Sequence, residues 1–197
     1  MFSPSVHLDS VWNVVKHHVR TVMGVPETEQ CFFDTWDSDA LDDILKTQRQ
    51  VIEHQKKEKA SKKLFGICVI VDDFADSPQV LASRQGGNAM NTLLVRGRHM
   101  MISTFILTQK LRLAGSILRV NAQAMIIFRL RNGLGRDAIF DELSGIYDKK
   151  TLLEMYALAT REPYSFMYVN LAAQKVENMF WYKFEQRMIP TANTLEE

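Results

Sequence analysis

Cysteine is scarce: 197 residues contain two, Cys31 and Cys68, far apart and each in an apolar, strand-like context. With no CxxC pair and no regular spacing, a disulfide framework is excluded, and both thiols are expected to be small buried hydrophobes in a reducing compartment. Also missing is any run of about eighteen apolar residues, so no membrane span is expected. The opening MFSPSVHLDS lacks a charged n-region and a long apolar h-region, which argues against a secretory signal and for a cytoplasmic setting. Net charge is nearly absent, at a formal +1, so charge balance alone identifies no partner. No repeat, linker or low-complexity tract interrupts the chain.

What is present is apolar: 46% of the residues, enough for a full core, and the expectation is a single domain over 1–197. Val11, Trp12, Val15, Val19 and Val22 recur at helical spacing before Gly24 and Pro26. QCFFDTW (30–36) reads as a strand. Ser38 is expected to cap a helix with Asp39, Asp42 and Asp43 at its start and a lysine cluster at its end, which suits the helix dipole. Leu41, Ile44, Leu45, Val51 and Ile52 give that helix one apolar face. Strands follow at 65–71, 101–109 and 124–130, helices near 86–96, 135–145 and 149–160, and a terminal hairpin at 164–171 and 175–184. Strand and helix alternate and the strands are continuous apolar runs. The fold class expected is therefore α/β, a mostly parallel sheet with helices on both faces.

FGICVIVDDFADS (65–77) ends an apolar strand abruptly in two carboxylates, Asp72 and Asp73. In doubly wound sheets the ligand crevice lies beyond the carboxyl ends of the strands, and Thr108 and Gln109 close the next candidate strand. The same rim then carries a carboxylate pair and a neutral amide. The simpler meaning of Asp73 is an Asx cap on the turn that follows. A second feature favours chemistry. From Arg96 to Arg136 the chain has Arg96, Arg98, Lys110, Arg112, Arg119, Arg129, Arg131 and Arg136 and not one Asp or Glu. Such a block is commonly a solvated face. Here Arg98 and His99 directly precede a strand and Lys110 and Arg112 directly follow it. Carboxylates for a metal beside cations for anionic oxygens are the parts of a phosphoryl-transfer site or a nucleic-acid motor.

ICVIVDDFAD, LLVRGRHMMISTFILTQKLR, ILRVNAQAMIIFRLRN and MYALATREPYSFMYVNL, in that order, resemble the poxvirus-type genome-packaging ATPases, in the FtsK–HerA branch of P-loop ATPases. The resemblance covers nearly the whole chain. It implies a RecA-like core, ATP and Mg²⁺ as cofactors, and hydrolysis coupled to driving double-stranded DNA into a capsid. Sibling subunits in a homo-oligomeric ring and capsid or portal components are the implied partners, and a viral factory or virion assembly site the implied setting. By resemblance, Asp72 is the Walker B aspartate that holds Mg²⁺ through water, and Asp73 orients and deprotonates the attacking water. Gln109 senses the γ-phosphate. Arg98 and Arg119 are alternative candidates for the arginine that reaches a neighbouring subunit's phosphate. His99 is expected to pack near the strand start, and Asn121 is open as a turn residue.

One part is missing. A phosphate loop needs GxxxxGK[ST], because successive backbone N–H groups and one lysine cradle the phosphates. None of the nine glycines is followed by Lys, and RNGLGRD (131–137) has a G-x-G but neither lysine nor hydroxyl. The expectation is therefore the C-terminal part of a packaging ATPase domain, truncated from just after the phosphate-loop helix and inactive alone. The alternative is a non-catalytic relative that binds DNA or sibling subunits. A nuclease metal site on Asp72, Asp73 and Asp76 is the third reading, and it lacks a convincing further Glu or His.

Overall fold

The computed structural model describes residues 1–58, 63–74, 88–109 and 116–190. The chain divides into two compact units, Met1–Asn121 and Ala122–Glu197.

The first unit is built around β1 (Ile67–Asp72), whose Val69 and Val71 are buried. It pairs in parallel along its whole length with β2 (Ile102–Leu107), from Ile67 opposite Ile102 to Asp72 opposite Leu107. On the other side of β1 lies the start of the chain. The Phe2 N–H donates to the Ile70 carbonyl at 2.8 Å and the Asp72 N–H to the Phe2 carbonyl at 2.9 Å. The 65–72 strand is thus flanked on one side by the strand near 101–108 and on the other by the chain's first residues. The strand expected at 30–36 shrinks to one bridge, Phe33 opposite Phe2. Its partner is short: Pro4 has no N–H to continue a ladder, and the chain turns from there.

Phe2 stacks on Phe33 with ring centroids 4.6 Å apart and meets Trp36 at 5.2 Å. Leu41 and Leu45 of α2 (Ser38–Glu58) and Met90 and Leu93 of α3 (Ala89–Arg96) close this core. The α2 cap is Asp37 rather than Ser38. Its Oδ1 accepts the Ala40 N–H at 2.8 Å, three residues into the helix, as a cap must. On the buried face of α2, Gln48 donates its amide to the carbonyls of Phe65 (2.8 Å) and Met100 (2.9 Å). One side chain thereby fixes the entries to both strands. The helical segment expected near 11–22 is present but changes pitch: a 3-10 turn Ser10–Trp12, then α1 (Asn13–His17), then a π-helical turn His18–Val22. None of its residues is buried, so its periodic valines do not serve a core. The cysteines also depart from expectation: Cys31 is half-buried and Cys68 exposed.

The second unit corrects the expectation of a mostly parallel sheet. β3 (Ala124–Phe128), β4 (Phe166–Asn170), β5 (Phe180–Tyr182) and β6 (Gln186–Arg187) form an antiparallel sheet in that order. The parallel part of the fold among the described strands is the β1–β2 pair, so the α/β class stands and a RecA-like parallel core does not appear. The misreading has a physical cause. AMIIF is apolar throughout, which suggests a strand buried on both faces, but its side chains alternate between Ile127, buried, and Ile126 and Phe128, exposed. The inner face, with Ile127, Met167, Val169 and Phe180, is buried, and two helices of this unit, α5 (Gly133–Leu143) and α6 (Lys149–Ala159), supply much of the rest of its core. Phe140 meets Tyr156 at 5.1 Å, and the Tyr156 hydroxyl accepts the Leu130 N–H at 2.6 Å.

Asp148 caps α6. Its carboxylate accepts the Thr151 hydroxyl and the Thr151 N–H, and chiefly the hydroxyl bond holds its carboxyl below the usual aspartate range. A depressed carboxyl contributes stability above its unfolded value and loses it as pH falls through the folded value. Asp148→Ala is therefore expected to lower the melting temperature at about pH 7. In acid, below both values, the variant and the parent should converge. A difference that persists undiminished in acid would show that the charge of the cap contributes nothing.

Candidate functional site

At the carboxyl end of β1 the half-buried Asp72 receives a hydrogen bond from a residue that sequence reasoning did not single out. The Ser3 hydroxyl donates to Asp72 Oδ2 at 2.6 Å, and Ser3 is fully buried. Its hydroxyl also lies 3.2 Å from that of Ser5, which accepts the Trp12 indole N–H at 3.2 Å. The FSPSV segment thus places a hydroxyl against the carboxylate because Phe2 is pinned beside β1. The only sequence signal was the serine's place one residue after a buried aromatic, and its partner lies 69 positions away.

Asp73 turns the chain out of the strand in the left-handed region, with φ of 53°, a conformation that Asp tolerates better than most residues. Its N–H still bonds the Leu107 carbonyl at 3.2 Å, which extends the β1–β2 ladder to its side chain's base. The register then sets Thr108, half-buried, and Gln109, exposed, beyond the end of β2. Asp72, Asp73, Thr108 and Gln109 therefore share one rim, as the sequence suggested.

The arginines do not join them there. Arg98 and His99 are exposed in the 3-10 turn Gly97–Met100 at the opposite, amino end of β2. Six strand residues, about 20 Å at ~3.3 Å each, separate the two ends. Arg119 is half-buried on α4 (Ser116–Asn121), which packs against α3. Asn121 of the same helix donates its amide to the Ile117 carbonyl at 2.9 Å, which accounts for it as a local helix-end bond. The basic block is split: Arg96, Arg98 and Arg119 belong to the first unit and Arg129, Arg131 and Arg136 to the second. Lys110, Arg112 and Asp76 lie outside the described residues. In RNGLGRD, Asn132 caps α5 by accepting the Leu134 N–H at 3.0 Å, and both glycines lie in its first turn, so this G-x-G opens a helix.

The donor set at the rim is carboxylate and hydroxyl oxygen. That suits Mg²⁺, which keeps most of its water and takes one or two carboxylates plus substrate phosphates. Among the described residues no group of three or more His, Cys, Asp or Glu side chains is placed to hold a metal. Of the nuclease set Asp72, Asp73 and Asp76, the third lies outside the described residues. No helix among the described residues is long and apolar enough to cross a membrane. No family model, curated protein or solved structure matches this chain.

Proposed function

We propose that this chain carries the water-activating half of an ATP-driven, DNA-translocating ATPase of the genome-packaging type. The observation that supports it best is the rim itself: Asp72 at the end of a strand flanked on both sides, hydrogen-bonded by the buried Ser3 hydroxyl, with Asp73 beside it and Gln109 two residues past the neighbouring strand. Asp72 would hold Mg²⁺ through water, and the ion supplies charge neutralisation on the phosphates when bound. Asp73 orients the attacking water and takes its proton, and Gln109 bonds that water and a phosphate oxygen without adding charge. Double-stranded DNA, sibling subunits in a ring and a capsid or portal are the partners of this reading, at a viral assembly site in the cytoplasm.

The sequence contains no GxxxxGK[ST], so the phosphates must be cradled by a loop supplied from another segment or chain. This fixes the test. The pure chain is expected to show background Mg²⁺-ATP turnover. Joined to or mixed with a segment that carries a phosphate loop, it should hydrolyse ATP in the presence of double-stranded DNA, and Asp73→Asn should abolish that activity. Turnover by the pure chain that Asp73→Asn abolishes would show that no loop is needed. Silence in every loop-supplied combination would leave the second reading, a non-catalytic relative, which the missing loop itself favours. That protein would bind DNA or sibling subunits with no dependence on nucleotide.

A further inference from the structure

The outer face of the antiparallel sheet in the second unit is aromatic. Ile126 lies opposite Tyr168, Phe128 opposite Phe166, and Tyr168 opposite Trp181, so these side chains share one face, away from the buried Ile127, Met167, Val169 and Phe180. Phe184 sets its ring edge-on to both Phe166 and Tyr168, with centroids 5.0 Å apart in each case. Ile126, Phe128 and Phe184 are 44%, 52% and 60% exposed. Contiguous solvent-facing apolar groups mark interaction surfaces more often than single exposed residues do.

Charge indicates what it takes. The sheet strands and their connections carry Arg129, Arg131, Arg161, Lys175, Lys183 and Arg187 against Glu162, Glu177 and Glu185. The acids Asp137, Asp141, Glu142, Asp148 and Glu154 all lie on or at the ends of the two helices. Arg187 is opposite Trp181 in the register and therefore on the aromatic face. Asn178 holds both: its Oδ1 accepts from Arg187 at 3.1 Å and its carbonyl accepts the Trp181 indole N–H at 2.8 Å. Fixed aromatic rings among cations suit a ligand that offers flat apolar rings on an anionic backbone. A purely apolar partner would leave the cations unused, and a duplex would keep its rings stacked inside.

We infer that this face binds single-stranded nucleic acid, with unpaired bases stacking on Phe128, Phe184 and their neighbours and phosphates meeting Arg187 and the arginines that follow β3. The inference stands apart from the ATPase reading and survives its failure.

The test uses the full chain and three fluorescein-labelled probes of about twelve nucleotides, a length that spans one such sheet. They are an oligothymidylate, a duplex, and an abasic strand of equal charge. The oligothymidylate is expected to bind at least about tenfold more tightly than the duplex or the abasic strand. Phe128→Ala and Phe184→Ala should each weaken it by about tenfold, since one base stack is lost. Phe184→Trp should retain binding and Phe184→Leu should not, a pattern that loss of packing would not produce. Arg187→Ala should reduce the salt slope by about 0.7, the share of one phosphate on a single strand. Equal affinity for the abasic strand, absence of binding, or aromatic variants that bind like the parent would each overturn the inference. So would a concentration-dependent dimer abolished by Phe184→Ala with no oligonucleotide bound, which would make a second copy the occupant.

Discussion

Phe2→Ala is expected to remove about 3–5 kcal/mol of stability, the cost of truncating a fully buried aromatic, and so to unfold most of the first unit under mild denaturant. Phe2 is 0% exposed, its ring stacks on Phe33 at 4.6 Å and meets Trp36 at 5.2 Å, and its backbone is bonded to β1 on one side. Removing the ring opens a cavity between β1 and the Phe33 bridge. The stacked pair adds a further aromatic contribution of about 0.5–1.5 kcal/mol. Phe2→Leu keeps most of the volume and should cost under about 1.5 kcal/mol if the core repacks. Val11→Ala, at a position 62% exposed, should stay within about 0.5 kcal/mol. Urea titrations followed by tryptophan fluorescence distinguish these cases, since Trp36 lies against Phe2. A Phe2→Ala midpoint equal to that of Val11→Ala would mean that the start of the chain does not sit beside β1.

The second large effect concerns Arg98 once a phosphate loop is supplied. Arg98→Ala should lower ATP turnover by on the order of 10³–10⁵ and leave nucleotide binding nearly intact. Arg98 is exposed at the amino end of β2, a strand's length from Asp73, so it cannot serve the carboxylates of its own chain. On the proposed reading, an exposed guanidinium would meet a phosphate held by a sibling subunit, where its planar fork would make two bonds at once. Arg119 is half-buried on α4, and its replacement should act mainly on packing. Asp73→Asn subunits mixed with Arg98→Ala subunits should recover part of the activity. Some interfaces then join an intact water-activating pair to an intact arginine. If Arg119→Ala rather than Arg98→Ala abolishes turnover, the roles are exchanged. If neither does, or no mixture recovers activity, the basic block serves nucleic acid or solvent.

How far the sequence could be read follows from the range of each interaction. β1 and its carboxylates were legible because a saturated apolar run and two acids are local signals. α2 was legible because Leu41, Leu45 and Ile52 repeat with the helical period. Its cap was missed by one residue, since Asp37 and Ser38 are both good caps and only backbone geometry selects between them. Ser3 could not be read as Asp72's partner, because nothing in FSPSV states that its hydroxyl meets a carboxylate 69 positions away. The terminal hairpin was legible and is present as β4 and β5, but the place of β3 was misread because an apolar run reports hydrophobicity, not which face meets helices. Ile126 and Phe128 look like core and are exposed. Val11 and Val22 kept helical spacing without a core to face, so periodicity there spoke to local structure alone.

The left-handed backbone at residue 73 restricts what can stand at that position. Glycine meets the φ of 53° without strain and Asn or Asp at little, while most other side chains pay about 1–2 kcal/mol there. The short carboxylate, rather than glutamate, is thus the acid this turn accommodates. Any drift at residue 73 under selection for folding alone would run toward Asn or Gly. Either change removes the acid while keeping a residue whose backbone accepts this turn, so the turn's conformation and the proposed chemistry place separate demands on residue 73.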